Sequence, residues 1–178
     1  MDNVTARRRY PLTLRAMRRA RRERTSASAP APTRVRQIYA DAFVLEAAAP
    51  PGWTAENWAR AMLEDAPVEV RTKLSSGWAA LGLKAVDADD SILGWTVLGR
   101  SPEVVTLGRE SRIGMPGQLL FARFPEGLLF ATFVHHRTVA TRALWAAVEP
   151  THVRTVRTLL ERVGRRAGAP DVTAAGAG

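Results

Sequence analysis

Residues 118–136 read QLLFARFPEGLLFATFVHH, and residues 138–165 read TVATRALWAAVEPTHVRTVRTLLERVGR. The first stretch holds two runs of β-forming residues around Pro125-Glu126-Gly127. It predicts a hairpin of Gln118 to Phe124 and Leu128 to His136. The second predicts one long helix from Thr138 to about Arg165. Val139, Ala143, Ala146, Ala147, Val153, Val156, Leu160 and Val163 recur at helical spacing, and Arg154, Arg157, Glu161 and Arg165 fill the other face. Glu161 precedes Arg165 by one turn, the favourable order for a helical ion pair. Pro150 inside the helix predicts a kink, because proline lacks the N–H and crowds the preceding turn. A hairpin leading directly into a long helix makes that helix lie back across the sheet, and this pairing decides the fold.

Upstream of the hairpin, Ile92 to Leu98 and Glu103 to Arg109 predict two more strands around the Ser101-Pro102 turn. Asp87-Ala-Asp-Asp90 is a polar loop, without the glycine and glutamate of a calcium-binding loop. Before it come two short helices. Thr54 caps the first, with Glu56 in the first turn and Trp58, Ala61 and Met62 on one face. Pro67 separates it from the second, Val68 to Leu81, with Gly82 as the C-cap. Gln37 to Ala47 reads as the first strand of the domain, stopped by Ala47-Ala-Ala-Pro-Pro-Gly52. The order β–α–α–β–β–β–β–α predicts an α+β fold in which a curved antiparallel sheet wraps around the C-terminal helix and leaves a cavity between them.

Charge divides the chain. Residues 1–36 hold eleven arginines against Asp2 and Glu23, whereas the remainder holds fifteen basic and fifteen acidic residues. The whole net charge of +9 therefore belongs to the N-terminal stretch, and the domain has no electrostatic bias toward a polyanion. The expected organisation is a disordered arginine-rich tail and linker over 1–36, a domain over 37–165 and a flexible end over 166–178. Ser26 to Pro32 supplies the linker composition. Arg15 and Arg18 interrupt Leu12, Leu14 and Met17, so no secretory leader is legible and the expected compartment is the cytoplasm. Residues 12–24 suit a basic helix on nucleic acid or an anionic surface. The alternatives are a solvated arm, or a translation start placed too early, with Met17 as a later one. Without cysteine there is no disulfide and no thiolate metal site. No metal site or cofactor is expected, since neither a His/Cys cluster nor a G-x-G-x-x-G turn is present.

The element order resembles the helix-grip fold of the SRPBCC superfamily, which includes START lipid-transfer domains and aromatic polyketide cyclases. The similarity is nearest to an uncharacterised bacterial domain family whose members stand alone or are appended to short-chain dehydrogenase-like domains. The residues carrying it are Tyr39-Ala-Asp-Ala-Phe43, Trp58-Ala-Arg-Ala-Met62, Val134-His-His-Arg-Thr138, Arg142-Ala-Leu-Trp145 and Pro150-Thr-His152. The resemblance implies a cavity for a small hydrophobic or amphipathic molecule, and no particular reaction.

His135 and His136 are neighbours on a strand, so they face opposite sides and cannot share one metal. If Phe124 pairs with Leu128, then Leu120, Ala122, Phe124, Leu128, Phe130, Val134 and His136 form the inner face, with Arg123 and His135 outside. The candidate ligand-binding residues are His136, Arg142, Trp145, Phe130, Val134, Trp58 and Trp78. His136 would orient a polar group, or else serve as a hydrogen-bonded structural histidine. The tryptophans would line the cavity, or else build ordinary core. His152 is expected to bond a carbonyl freed at Pro150. The rival readings are a cyclase or dehydratase using His136 with Arg137 or Arg142, a nucleic-acid binder acting through the tail, and a module docking on a separate oxidoreductase through the outer sheet face.

Overall fold

A computed structural model describes residues 4–6, 37–47 and 49–167. The elements are β1 (Val4–Ala6), β2 (Gln37–Glu46), α1 (Ala55–Leu63), α2 (Val68–Ala80), β3 (Ser91–Ile92), β4 (Trp95–Arg100), β5 (Val104–Arg109), β6 (Gly117–Phe124), β7 (Gly127–His136) and α3 (Val139–Ala167). One antiparallel sheet runs β1-β2-β7-β6-β5-β4-β3. The architecture is the expected α+β helix-grip arrangement, a curved sheet against a long C-terminal helix. The expected disordered tail falls, apart from Val4–Ala6, outside the described residues, as does the expected flexible end beyond Ala167. Val4–Ala6 itself pairs with Leu45, Val44 and Phe43 at the sheet margin.

Local chemistry sets the helix starts. Thr54 Oγ1 accepts from the Asn57 N–H, and Asn57 Oδ1 accepts from the Thr54 N–H at 2.8 Å, a reciprocal cap. Thr138 and Thr141 repeat the device before α3, each backbone N–H meeting the other's hydroxyl. Pro150 lies inside α3, as the sequence requires.

One face of the sheet receives α1 and α3. A row of Phe43, Phe130, Phe121 and Val105 crosses four neighbouring strands in register. Trp58, Met62 and Leu63 of α1 and Val156, Leu160 and Val163 of α3 close over it. The middle of the gripped face is therefore packed solid. On the far face Leu120, Ala131 and Phe133 form a separate buried cluster with other strand residues.

Three expectations need correction. Phe124 pairs with Gly127 and Arg123 with Leu128, one residue out from the expected register. Side chains alternate, so this slip turns Leu120, Ala122 and Phe124 to the far face and Leu119, Phe121 and Arg123 to the helices. The expected strand Ile92 to Leu98 is split by Leu93 and Gly94, both at positive φ, into β3 and β4. The early part of α3 packs through Thr141 and Trp145, while Val139, Ala143, Ala146 and Ala147 are exposed. Alanines bury too little surface to fix a face, and the indole does so instead.

Candidate functional site

Toward the His136 end of the sheet, the gripped face changes character. Beyond the phenylalanine row the next inward positions are Asp41 opposite Thr132, then Tyr39 opposite Val134, then His136. His136 thus faces the helices on the same side as Phe130 and Val134, although the expected pairing of β6 was wrong. The first half of α3 brings Trp145 and His152 over this end. The Tyr39 and Trp145 rings are 5.0 Å apart, and the Trp145 and His152 rings 5.2 Å.

His152 Nε2 lies 3.1 Å from Asp41 Oδ2, with side-chain exposures of 16% and 10%, so the pair is largely removed from water. The Tyr39 hydroxyl donates to the same carboxylate oxygen at 3.0 Å. The expected partner of His152 was a carbonyl freed by Pro150; a carboxylate from β2 takes its place, and an anionic acceptor makes the stronger hydrogen bond. The other oxygen, Asp41 Oδ1, is buried without a partner among the described residues. The same holds for Thr132 Oγ1, Trp145 Nε1 and His136 Nδ1. Burial, and then the positive charge of Arg142, hold the His136 imidazole below its ordinary pKa.

The sequence-predicted residues separate into three places. His136, Val134, Arg142 and Trp145 belong to this polar end, with Met115 packed against Val134 and Trp145. Phe130 and Trp58 are 2% and 0% exposed within the main core. Trp78 stacks edge-on against Trp95, with the Arg109 guanidinium 4.6 Å from its ring centre. Asp41 and His152 were not among the candidates. Asp41 shares one strand face with Tyr39, Phe43 and Leu45, and an acid within an apolar stripe is the signal that marks it.

A hollow of about 780 Å³ lies at the same end of the sheet but largely on its other side. Thr96, Leu98, Gly108, Gln118 and His135 line it from the far face, and it reaches round to His136, Arg137 and Arg109. Among the described residues no three His, Asp or Glu side chains are placed to hold a metal ion, and no helix is long and apolar enough to cross a membrane. No protein-family model, curated protein or solved structure matches the chain.

Proposed function

We propose that the domain binds a small amphipathic molecule, with its polar group at the Asp41–His152 end of the gripped face and its apolar part against Tyr39, Trp145, Val134 and Met115. One observation carries this reading. Of the seven buried side-chain N and O atoms without a partner among the described residues, Asp41 Oδ1, Thr132 Oγ1, Trp145 Nε1 and His136 Nδ1 share this one end. Each such atom costs about 1–3 kcal/mol when nothing pairs with it, and folded proteins keep few. Together they offer an acceptor, a donor, a hydroxyl that is both, and an imidazole nitrogen of either kind. A ligand bearing hydroxyl or carbonyl oxygens matches that set. The likeness to the helix-grip superfamily supports the same reading by analogy. Ordered water is the competing occupant of such a polar interior.

A second reading rests on the pair itself. A carboxylate that orients a largely buried histidine is the arrangement used to hold a general base. It allows acid–base chemistry of the cyclase or dehydratase kind, with Asp41–His152 in the role the sequence suggests for His136.

The test is Thr132→Val in the full chain, followed by native mass spectrometry of both proteins purified from the source organism. The substitution removes a hydroxyl without a partner among the described residues, while nearly keeping the shape of the side chain. The melting temperature is expected to hold or rise, while the fraction carrying a co-purified small molecule falls. A lower melting temperature with no bound mass in either protein would assign the polar end to structural water.

A further inference from the structure

Arg109 is 4% exposed, yet among the described residues it forms no ion pair with a carboxylate. Its Nε donates to Gly94 O at 2.8 Å and its Nη2 to Leu93 O, the two carbonyls of the β3–β4 turn. The Trp78 and Trp95 rings flank it at 4.6 and 5.2 Å. Carbonyls and ring faces stabilise a guanidinium, but they carry no net charge. A buried cation without an anion is costly, and charges in protein interiors are normally paired. Burial accordingly lowers its pKa to about 10, which leaves it charged at neutral pH.

The surroundings of Arg109 point to the missing charge. It lines the 780 Å³ hollow together with Lys84 and Arg137, against one acid, Glu110. Gln118 and Thr96 add neutral hydrogen-bonding groups, and Val86, Leu98 and Pro116 add apolar wall. The volume falls in the range of small-molecule sites, which is about 300–1,000 Å³. His136 lines this hollow and also stands at the Asp41–His152 end, whereas Lys84, Arg109 and Arg137 line the hollow and make none of the contacts of Asp41 or His152.

We propose that this hollow is a second site, independent of the polar end beneath α3, and that it takes an organic anion. The anionic group, a carboxylate or a phosphate monoester, is held by Arg109, Lys84 and Arg137, and its apolar body lies along Val86, Leu98 and Pro116. Arg109 supplies the fixed charge at the base. Lys84 and Arg137, both exposed, stand at the rim, where they attract the ligand and complete its coordination.

The experiment is calorimetric titration of the full chain at low salt with octanoate and, separately, with inorganic phosphate. The variants are Lys84→Glu with Arg137→Glu, and Arg109→Lys. The rim variant alters exposed side chains and leaves the arginines of residues 1–36 untouched. Octanoate is expected to bind the unaltered chain with one-to-one stoichiometry, and the rim variant to bind it at least about tenfold more weakly, the scale of losing charge-assisted contacts. Octanoate binding well above phosphate assigns the carboxylate with an apolar body, and the reverse order assigns the phosphate; either supports the site. Arg109→Lys keeps the charge but not the planar fork, and is expected to weaken binding with the circular-dichroism spectrum unchanged. Should that variant fail to fold, the rim variant decides alone. Equal affinity in the rim variant would place binding on the arginine-rich stretch and overturn the proposal, as would the absence of binding to the unaltered chain.

Discussion

His136 shows how a single side chain ties the site to solution conditions. Its pKa in the fold lies below the ordinary value of about 6.5 because burial and Arg142 both oppose the proton. Between the two values the unfolded chain binds the extra proton, so acid favours unfolding. The contribution of the neutral imidazole is present in full above about pH 6.5 and is lost as pH falls through the lower, folded value. His136→Gln cannot titrate and is expected to flatten the fall in melting temperature between about pH 7 and pH 5. An unchanged slope would assign the acid sensitivity to other groups. The residue was legible in the sequence as an inward-facing candidate, but partly by fortune. The rule that Arg123 marks the outer face failed, since a long side chain at a strand end is tolerated on either side. Asp41 and His152 were missed for another reason. Each sits in a stripe that reads as apolar, and only the packing of α3 over β2 brings together two residues 111 positions apart.

Elements followed the sequence wherever a local interaction fixed them. The reciprocal cap of Thr54 and Asn57 starts α1 where the window Thr54-Ala-Glu-Asn57 predicts. Thr54→Ala removes the hydroxyl that pairs with the Asn57 N–H, and is expected to lower unfolding stability by about 1 kcal/mol, measured by urea titration. A loss of no more than a few tenths would show that packing of Trp58 and Met62 alone holds the helix. Gly82, the expected C-cap after α2, has φ +70° and could not hold a β-carbon conformation without strain. Where no local interaction decides, the sequence leaves the register open. Pro125-Glu126-Gly127 announces a turn but does not say which residues close it. With Gly127 opposite Phe124 the loop has two residues, and the faces of β6 reverse. Leu93 at φ 46° was illegible because leucine rarely takes that conformation; the fixed Arg109 beneath its carbonyl explains its tolerance here.

For the molecule as a whole, the fold class was readable because the hydrophobic periods change from two to 3.6 at clear boundaries. The filling of the gripped face was not. The sequence lists Phe43, Phe121 and Phe130 in separate strands, and only the register sets them side by side. On the far face, likewise, only the register brings Leu120, Ala131 and Phe133 into one buried cluster.

The sheet also has unequal margins, which bears on colloidal behaviour. At one side β3 is two residues long and offers almost nothing to copy. At the other, β1 shields only Phe43, Val44 and Leu45, and no described strand pairs with the outer side of Gln37 to Ala42. Among the described residues, the three of β1 are thus the ones that pair along the outer side of the ten-residue β2. Val4→Pro with Thr5→Pro removes the N–H groups that hold β1, and light scattering at high concentration is expected to rise while the monomer's circular dichroism persists. Equal scattering would mean that β1 contributes pairing but no protection. A rise in scattering would give the short N-terminal strand a part in keeping separate copies of the fold apart.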